Sequence, residues 1–167
     1  GTATPGNASL SVSFFGPAST GGSPILDYTA NCGGVTATGL SSPLLVTGLV
    51  NGTPYTCTVT ARNAAGNSAA SSPTASATPR TVPSAPVIGT AVAGNAQISV
   101  AFSPSASNGG SAITGYTANC GGTIATGLST PIVVGGLVNG TPYTCTVTAR
   151  NAAGSSPRPN GVTIEVL

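Results

Sequence analysis

The chain repeats itself, and this internal repeat constrains its fold more than any other feature of the sequence. A shift of 88 residues places Gly1–Gly66 on Gly89–Gly154 without a gap, and 48 of these 66 positions are identical. Gly48–Gly66 matches Gly136–Gly154 without a single change. Self-similarity at a fixed period indicates repeated structural units. We therefore expect two copies of one domain in the 167 residues, 1–79 and 80–167.

Proline dominates the segment that joins the two units. Pro79, Pro83 and Pro86 lie within eight residues of each other. Because proline restricts its own backbone and favours extended conformations, this composition predicts a short, semi-rigid joint instead of a flexible tether.

Both units alternate apolar and polar residues with the period of a β-strand. In Ser9–Phe14 and in its copy Gln97–Phe102, every second residue is apolar. Tyr55–Arg62 alternates inward residues with threonines, and threonine suits the outer face of a strand. Gly33-Gly34 predicts a two-residue hairpin turn. No segment has a helical period, so each unit is predicted to be all-β, with short strands arranged as a sandwich.

The chain has little of the chemistry that catalysis, metal binding or nucleic-acid binding requires. It has no His, Lys, Met or Trp, and its six charges are four arginines with Asp27 and Glu165. General acid–base catalysis usually needs His or paired carboxylates, and these two acids lie at opposite ends of the chain. Four scattered arginines cannot neutralise a phosphate track, and no apolar run reaches the roughly 20 residues of a membrane helix. We expect no enzyme, no metal or other cofactor, no nucleic-acid partner and no membrane insertion.

Several motifs resemble the fibronectin type III family. Tyr55–Gly66, preceded by Gly48–Thr53, is similar to strand F of that family, and Gly22–Tyr28 resembles its entry into strand C. The likeness covers both units. It implies an all-β chain of two tandem immunoglobulin-like (fibronectin type III) β-sandwiches. It also implies that Tyr55 and Tyr143 are tyrosine-corner residues, whose hydroxyls bond to nearby backbone.

The four cysteines fit the same resemblance. Cys32 and Cys57 are 25 residues apart, as are Cys120 and Cys145, and each pair faces inward on strands that are neighbours in the family's fold. The resemblance implies one disulfide per unit, with buried free thiols as the alternative. Disulfides form in oxidising compartments, so we expect an extracellular or cell-surface protein, of bacterial type by composition. Without an initiator Met or a signal peptide, the chain is expected to be a processed form or a fragment.

The two units differ in how they begin. Unit 2 has a lead-in, Val82–Ile88, that should include most of its strand A. Unit 1 has no counterpart, because Gly1 aligns with Gly89. Strand A of unit 1 is therefore predicted to be truncated, which would leave a sheet edge unpaired.

The units also differ in how they end. Val162–Leu167 is a stronger strand sequence than its counterpart Thr74–Pro79. One interpretation makes this tail the G strand of unit 2. In the other, Val162, Ile164 and Val166 form a donor segment that completes unit 1 of the next copy. Such head-to-tail strand addition does not close on itself and would build a homo-oligomer or filament.

The surface predicts a structural role. Few charged residues oppose association, so we expect a non-catalytic structural or adhesive protein that self-associates in a surface fibre. The alternative is an accessory spacer module from a larger secreted hydrolase. Of seven aromatic residues only Phe15 is not assigned to the core, which argues against sugar stacking. As a third interpretation, a ligand-binding module would use the glycine-rich loops Ser19–Pro24 and Ser107–Ala112.

Three asparagines, Asn7, Asn51 and Asn139, lie in Asn-x-Ser/Thr sequences. At Asn51 and Asn139 the next residue is glycine, a pair typical of turns. Turn formation and glycosylation in a eukaryotic host are the two interpretations of these sites.

Overall fold

The computed structural model describes residues 1–167 as fifteen β-strands. The chain divides into two compact units, Gly1–Thr81 and Val82–Leu167, so the boundary lies two residues beyond the expected one. No helix is present that has the length and hydropathy needed to cross a bilayer. The all-β fold class expected from the period of two is confirmed.

Unit 1 contains seven strands in two antiparallel sheets. They are β1 (Thr2–Gly6), β2 (Ser9–Ser13), β3 (Ile25–Cys32), β4 (Val35–Gly39), β5 (Leu44–Thr47), β6 (Cys57–Asn63) and β7 (Gly66–Asn67). One sheet has the order β1-β2-β5 and the other has the order β4-β3-β6-β7. This is the two-sheet arrangement of a sandwich.

Unit 2 repeats this plan with eight strands. They are β8 (Val87–Gly94), β9 (Gln97–Ser103), β10 (Gly115–Cys120), β11 (Thr123–Gly127), β12 (Ile132–Gly135), β13 (Pro142–Asn151), β14 (Gly154–Ser155) and β15 (Val162–Glu165). One sheet has the order β12-β9-β8, and the other has the order β11-β10-β13-β14 with β15 also paired to β13. The additional strand β15 has no regular counterpart in unit 1.

The glycine pair at residues 33 and 34 closes the β3–β4 hairpin as predicted. Gly33 and Gly34 have φ angles of 61° and 96°, values that glycine adopts without strain. The register runs from Cys32↔Val35 to Tyr28↔Gly39. The hairpin places β4 at one edge of its sheet, next to β3.

Each unit has its own core, made by the inward residues of both sheets. In unit 1 the fully buried members include Leu10, Val12, Ala30 and Val46. In unit 2 their counterparts Ile98, Val100, Ala118 and Val134 are equally buried. The alternation read in Ser9–Phe14 and Gln97–Phe102 therefore corresponds to core-facing and outward-facing positions.

The first strands of the two units differ in length, with five residues in β1 and eight in β8. Strand β1 begins opposite Ser13, at Thr2. Strand β8 extends three residues further toward the N-terminus and pairs Ile88 with Phe102 and Val87 with Ser103 across a bulge. Phe14 and Phe15, the counterparts of Phe102 and Ser103, have no neighbouring strand on that side.

Candidate interaction surfaces

The cysteines are joined as the resemblance implied, one disulfide in each unit. Cys32 bonds to Cys57 and Cys120 bonds to Cys145, and no cysteine is free. In each pair the two residues lie directly opposite each other on neighbouring strands, with Cα atoms 4.2 Å and 4.1 Å apart. All four cysteines are fully buried. The bonds tie the last residues of β3 and β10 to the first residue of β6 and the fourth residue of β13.

Tyr55 and Tyr143 each bridge two loops of their unit. The Tyr55 hydroxyl accepts a hydrogen bond from the Val50 N–H at 3.2 Å, and Tyr143 accepts one from Val138 at 3.1 Å. Each ring also covers a hairpin turn. A Cβ built on Gly33 would lie 2.8 Å from Tyr55 Cδ1, a distance that side chains do not tolerate. The ring therefore fixes the turn beside the disulfide.

The asparagines of the Asn-x-Ser/Thr sequences take part in turn contacts. The Asn51 side-chain oxygen accepts from the Ala8 N–H at 2.8 Å, and its amide nitrogen donates to Asn7 Oδ1 at 2.8 Å. Asn139 makes the same contacts with Ala96 and Asn95 in unit 2. This network holds Ala8 and Ala96 at positive φ, 48° and 54°. The side-chain nitrogens of Asn51 and Asn139, which a glycan would modify, thus each donate a hydrogen bond.

The candidate donor segment lies in the G position of its own unit. Strand β15 pairs with β13 from Cys145↔Val162 to Pro142↔Glu165. Val166 is buried, and Val162 and Ile164 pack against the core of unit 2. A donated tail would have to leave these contacts. Strand addition between copies therefore stays a proposal.

Unit 1 fills its G position with a different backbone geometry. Ser68, Ser71 and Thr74 each donate their N–H to a carbonyl of β6, at 2.8 to 2.9 Å. Their hydroxyls accept from the N–H groups of Ala61, Val59 and Cys57 at 3.0 Å. Successive hydrogen-bonded positions are therefore three residues apart in this segment and two residues apart in β6. We call Ser68, Ser71 and Thr74 the hydroxyl ladder.

Unit 2 keeps only the first step of this ladder. Ser156 donates its N–H to the Ala149 carbonyl at 2.7 Å, and its hydroxyl accepts from the Ala149 N–H at 3.1 Å. The next two positions are Pro159 and Val162, which have no hydroxyl, and proline has no N–H. The chain instead crosses to a regular strand at Val162. The sequence signal for the ladder was a hydroxyl residue at every third position. A search for apolar residues at every second position, which is typical of strands, did not detect it.

The lead-in of unit 2, Val82–Ile88, lies along the seam between its two sheets. Ser84 donates its N–H to the Ser107 carbonyl at 3.0 Å, and its hydroxyl accepts from the Ser107 N–H at 3.0 Å. The Ile88 side chain packs against the core. A Cβ on Gly154 would lie 3.3 Å from Val82 Cγ1, which places Val82 beside the β13–β14 turn. Pro83 and Pro86 are fully buried.

The same seam is open in unit 1. Two adjoining clefts share Pro17, Ala61 and Ser68 and form one groove. One end is lined by Phe14, Phe15 and Tyr28. The other end reaches Ser19 and Gly66. We call this the seam groove. It was not recognised from the sequence, although the missing counterpart of Val82–Ile88 was the signal for it.

Side chains that line the seam groove are more exposed than their counterparts in unit 2. Five side chains that line the groove and are half-buried or exposed in unit 1 have buried counterparts in unit 2. The unit 1 residues are Phe14, Tyr28, Val59, Asn63 and Ser68, and their counterparts are Phe102, Tyr116, Val147, Asn151 and Ser156. Apart from this exposure the aromatic pairs are alike, since Phe14–Tyr28 and Phe102–Tyr116 both have ring centroids 4.8 Å apart.

The two units differ in one ion pair, which only unit 1 has. In unit 1 the Arg62 guanidinium bonds both oxygens of Asp27, with Nε at 3.2 Å from Oδ1 and 3.0 Å from Oδ2, and Nη2 also contacts Oδ2. These hydrogen bonds, helped by the charge of Arg62, hold the pKa of the Asp27 carboxyl below its ordinary value, although partial desolvation opposes them. Unit 2 has Gly115 in place of Asp27, so Arg150 lacks this partner.

Exposed aromatic surface is small. Phe15 is 94% exposed, whereas the other aromatic side chains are buried or half-buried. The expectation against sugar stacking was based on the same placement of aromatic residues in the sequence.

Comparison with known proteins identifies the architecture. The model of the fibronectin type III domain matches residues 2–77. Unit 1 is a fibronectin type III domain. Unit 2, its sequence repeat with the same two sheets, is a second domain of this type, so the family inferred from the motifs is confirmed. Domains A168–A170 of titin superpose with a TM-score of 0.60, at 18% identity over 99% of this chain and 62% of theirs. At this identity the likeness concerns the fold alone.

Two further proteins are similar to the chain. Chitinase A1 of Niallia circulans is 34% identical over 176 aligned residues, which cover 96% of this chain and 25% of the chitinase. The chain thus spans a quarter of the length of that relative. The FN1–FN3 domains of chicken CNTN1 match at 17% identity over 98% of this chain and 64% of theirs, with a TM-score of 0.48.

Proposed function

We propose that this chain is a non-catalytic, extracellular spacer module of a larger secreted hydrolase that acts on an insoluble polysaccharide such as chitin. The observation that carries the proposal is the 34% identity to chitinase A1, which extends over nearly the whole chain but only a quarter of the enzyme. This favours the spacer interpretation over the surface fibre that the sparse charge suggested. It is a module, two domains long, that resembles one part of such an enzyme.

The chemistry of the chain agrees with this role. The two disulfides fit an oxidising compartment outside the cell. Asp27 is held by Arg62 in unit 1, and Glu165 lies on β15 of unit 2, so neither unit by itself contains two carboxylates that could act as a pair. Disulfide-bonded sandwiches without a flexible charged surface suit a spacer that keeps other domains at a defined distance.

Deleting residues 1–167 from the longer polypeptide that carries them would test the proposal. We expect hydrolysis of a soluble oligosaccharide to be unchanged and hydrolysis of the insoluble polymer to fall several-fold, because only the latter depends on spacing. A variant with a Gly/Ser linker of equal length is the matched control, since it restores reach but not stiffness. Unchanged activity on the insoluble polymer, or hydrolysis by this chain alone, would contradict the proposal.

A self-associating fibre subunit is the second candidate. It is supported by the scarcity of charge, since only 4% of residues are charged, and by the regular edge strand β15. Light scattering and electron microscopy of the intact chain at high concentration would separate the two candidates. Ordered fibres formed by this chain alone would favour the subunit, and a monomer would remove it.

A further inference from the structure

We propose that unit 2 binds a single carboxylate on the outer face of its larger sheet, and that an aspartate or glutamate side chain of a partner protein supplies it. The site is the space above Gly115, between the side chains of Arg150 and Leu128. We call this space the Gly115 slot. It goes beyond the spacer role proposed above and does not depend on it.

Unit 1 contains an internal example of the proposed contact. Asp27 lies directly opposite Arg62 on the neighbouring strand, and the guanidinium bonds both carboxylate oxygens. These hydrogen bonds lower the pKa of the Asp27 carboxyl, so the contact favours an ionised acid. In unit 2, Gly115 lies opposite Arg150 in the same register, and a cleft of about 430 Å³ is present there. The slot thus has the cation of this pair without its carboxylate.

The rest of the cleft is the same in both units. Of the eight residues that line it in unit 2, six are identical to their counterparts in unit 1, namely Tyr116, Thr117, Thr126, Gly127, Leu128 and Arg150. The two that differ are Thr114 and Gly115, which correspond to Leu26 and Asp27. An occupant of the slot would therefore meet Arg150 in the surroundings in which Asp27 meets Arg62.

The Arg150 guanidinium is free to take a carboxylate. Its side chain is exposed, and no hydrogen bond or ion pair involves the guanidinium. Its backbone is held in place, since the Arg150 carbonyl accepts from the Thr114 N–H at 2.7 Å and from the Thr114 hydroxyl at 3.2 Å. Arginine binds a carboxylate through two parallel N–H groups, and here both are open to solvent.

The width of the slot favours a slender side chain over a sugar ring. Strands β11 and β13 lie on either side of β10, so they are about 10 Å apart, which is two strand spacings. The side chains of Leu128 and Arg150 fill part of this width from the two sides. Leu128 is 83% exposed and offers an apolar wall to methylene groups. A carboxylate on one or two methylene groups, as in aspartate and glutamate, matches both walls.

The carboxylates of the chain itself do not fill the slot. Asp27 is bound by Arg62. Glu165 lies opposite Pro142, and Pro142 is eight residues along β13 from Arg150, a distance of about 27 Å in a strand. Neither side chain can therefore reach the slot from its place in unit 1 or unit 2, and the carboxylate has to come from a partner.

Titration of the intact chain with two blocked tripeptides tests the site. We expect acetyl-Ala-Glu-Ala-amide to shift the NMR signals of Arg150 Nε–H, Gly115 and Leu128, and to bind at least about fivefold more tightly than acetyl-Ala-Gln-Ala-amide, which differs only in its charge. Arg62 Nε–H is the control within the same sample, because Asp27 already occupies it. Equal binding of the two peptides, or equal shifts in both units, would overturn the proposal.

Exchange of the differing residues between the units gives a second, independent readout. Gly115→Asp should abolish binding, because the new carboxylate would fill the slot. A Cβ at this position comes no closer than 3.7 Å to the Gly127 carbonyl oxygen, so the substitution is tolerated sterically. The double variant Leu26→Thr with Asp27→Gly gives unit 1 the same eight lining residues and should create a second site at Arg62. Unchanged binding in Gly115→Asp, or no new site in the double variant, would contradict the assignment.

The source of the carboxylate is tested with two further probes and by oligomeric state. At equal ionic strength, sodium acetate and sodium glucuronate should bind more weakly than the glutamate peptide, because acetate lacks the stem that contacts Leu128 and glucuronate carries a ring. Equal binding of acetate would assign the slot to free small carboxylates, and tighter binding of glucuronate would assign it to a carboxylated sugar. Dimerisation of the parent chain that Glu165→Gln abolishes would show that a second copy fills the slot. Each of these three results would overturn the assignment to a partner protein.

Discussion

The two domains share an identical strand F but complete it with different neighbours. Pro54–Gly66 and Pro142–Gly154 are the same in sequence. In unit 1 the hydroxyl ladder follows this strand, whereas in unit 2 the regular strand β15 does. The difference shows that strand F does not dictate how its edge is covered. The segment that follows strand F determines how the edge is covered. A segment with a hydroxyl residue at every third position forms the ladder, and one with an apolar residue at every second position forms a regular strand.

A second difference concerns the seam between the sheets. Val82–Ile88 covers this seam in unit 2, and the seam groove leaves it open in unit 1. Because Val147 is 0% exposed and Val59 is half-buried, the same residue in the same strand contributes differently to the two cores. Unit 1 is therefore expected to be the less stable domain of this chain.

Removing a disulfide should have the largest effect and should not distinguish the units. The double variants Cys32→Ala with Cys57→Ala and Cys120→Ala with Cys145→Ala each open a loop with the same separation of 25 residues. Constraint of the unfolded chain predicts a loss of about 3.5 kcal/mol in the free energy of unfolding of the affected unit. Denaturant titrations followed by NMR signals from each unit would measure both losses. A clearly larger loss in one unit would show that the native seam, and not loop length, sets the contribution.

Shortening the valine of strand F should separate the units. Val147→Ala removes two methyl groups from a fully buried site, so we expect unit 2 to lose about 2 kcal/mol of stability. Val59→Ala should cost unit 1 about half as much, because that side chain is already partly in water. Equal losses, measured by calorimetry of the two variants, would mean that the seam groove does not weaken the core of unit 1.

Cutting one step of the hydroxyl ladder tests whether it holds the edge of unit 1. Ser71→Ala leaves the Val59 N–H without its 3.0 Å partner, and we expect a loss of about 1 kcal/mol together with faster exchange of that amide. Ser76→Ala, an exposed position in the same segment, is the control and should stay within about 0.5 kcal/mol of the parent. Unchanged exchange of the Val59 amide in Ser71→Ala would argue against the ladder.

Lowering the pH should have the smallest effect on the stability of unit 1. Because Arg62 lowers the pKa of the folded Asp27 carboxyl, the pair stabilises unit 1 fully above the ordinary aspartate pKa. This contribution is lost as pH falls through the lowered value. Between pH 7 and pH 2, the melting temperature of unit 1 should fall slightly more in the parent chain than in the Asp27→Asn variant. A variant that follows the parent at every pH would show that the exposed pair contributes nothing measurable, as many surface pairs do.

Much of the fold could be predicted because the relevant signals are local. Alternation in Ser9–Phe14 identifies the core face of β2, and Gly33-Gly34 identifies a turn that needs positive φ. The candidate donor segment shows what such local patterns cannot predict. Val162, Ile164 and Val166 alternate as a strand would, but alternation cannot say which sheet receives them. The structure gives them β13 of the same unit, and exchange between copies remains a prediction.

The edge of unit 1 was harder to predict, since Thr74–Pro79 looks like a weak strand when it is judged by period two. In this region Ser68, Ser71 and Thr74 instead accept from the backbone of β6 at a spacing of three residues, and Ala77 alone forms a regular bridge, with Tyr55. The seam groove has the same origin. Residues 14, 19, 28, 59 and 66 are distant in the chain, and no window of sequence brings them together.

The amino-acid sequence by itself determined the duplicated sandwich, the inward cysteines and the scarcity of reactive groups, because these follow from repeat, periodicity and composition. The tertiary structure decided which side chains cover or line each edge of the two sandwiches. That choice depends on hydrogen bonds and packing between segments up to about 70 residues apart in the chain. A local pattern can show that a segment offers hydroxyl or apolar groups at a given spacing, but the strand that receives them is specified by where the segments meet in the fold.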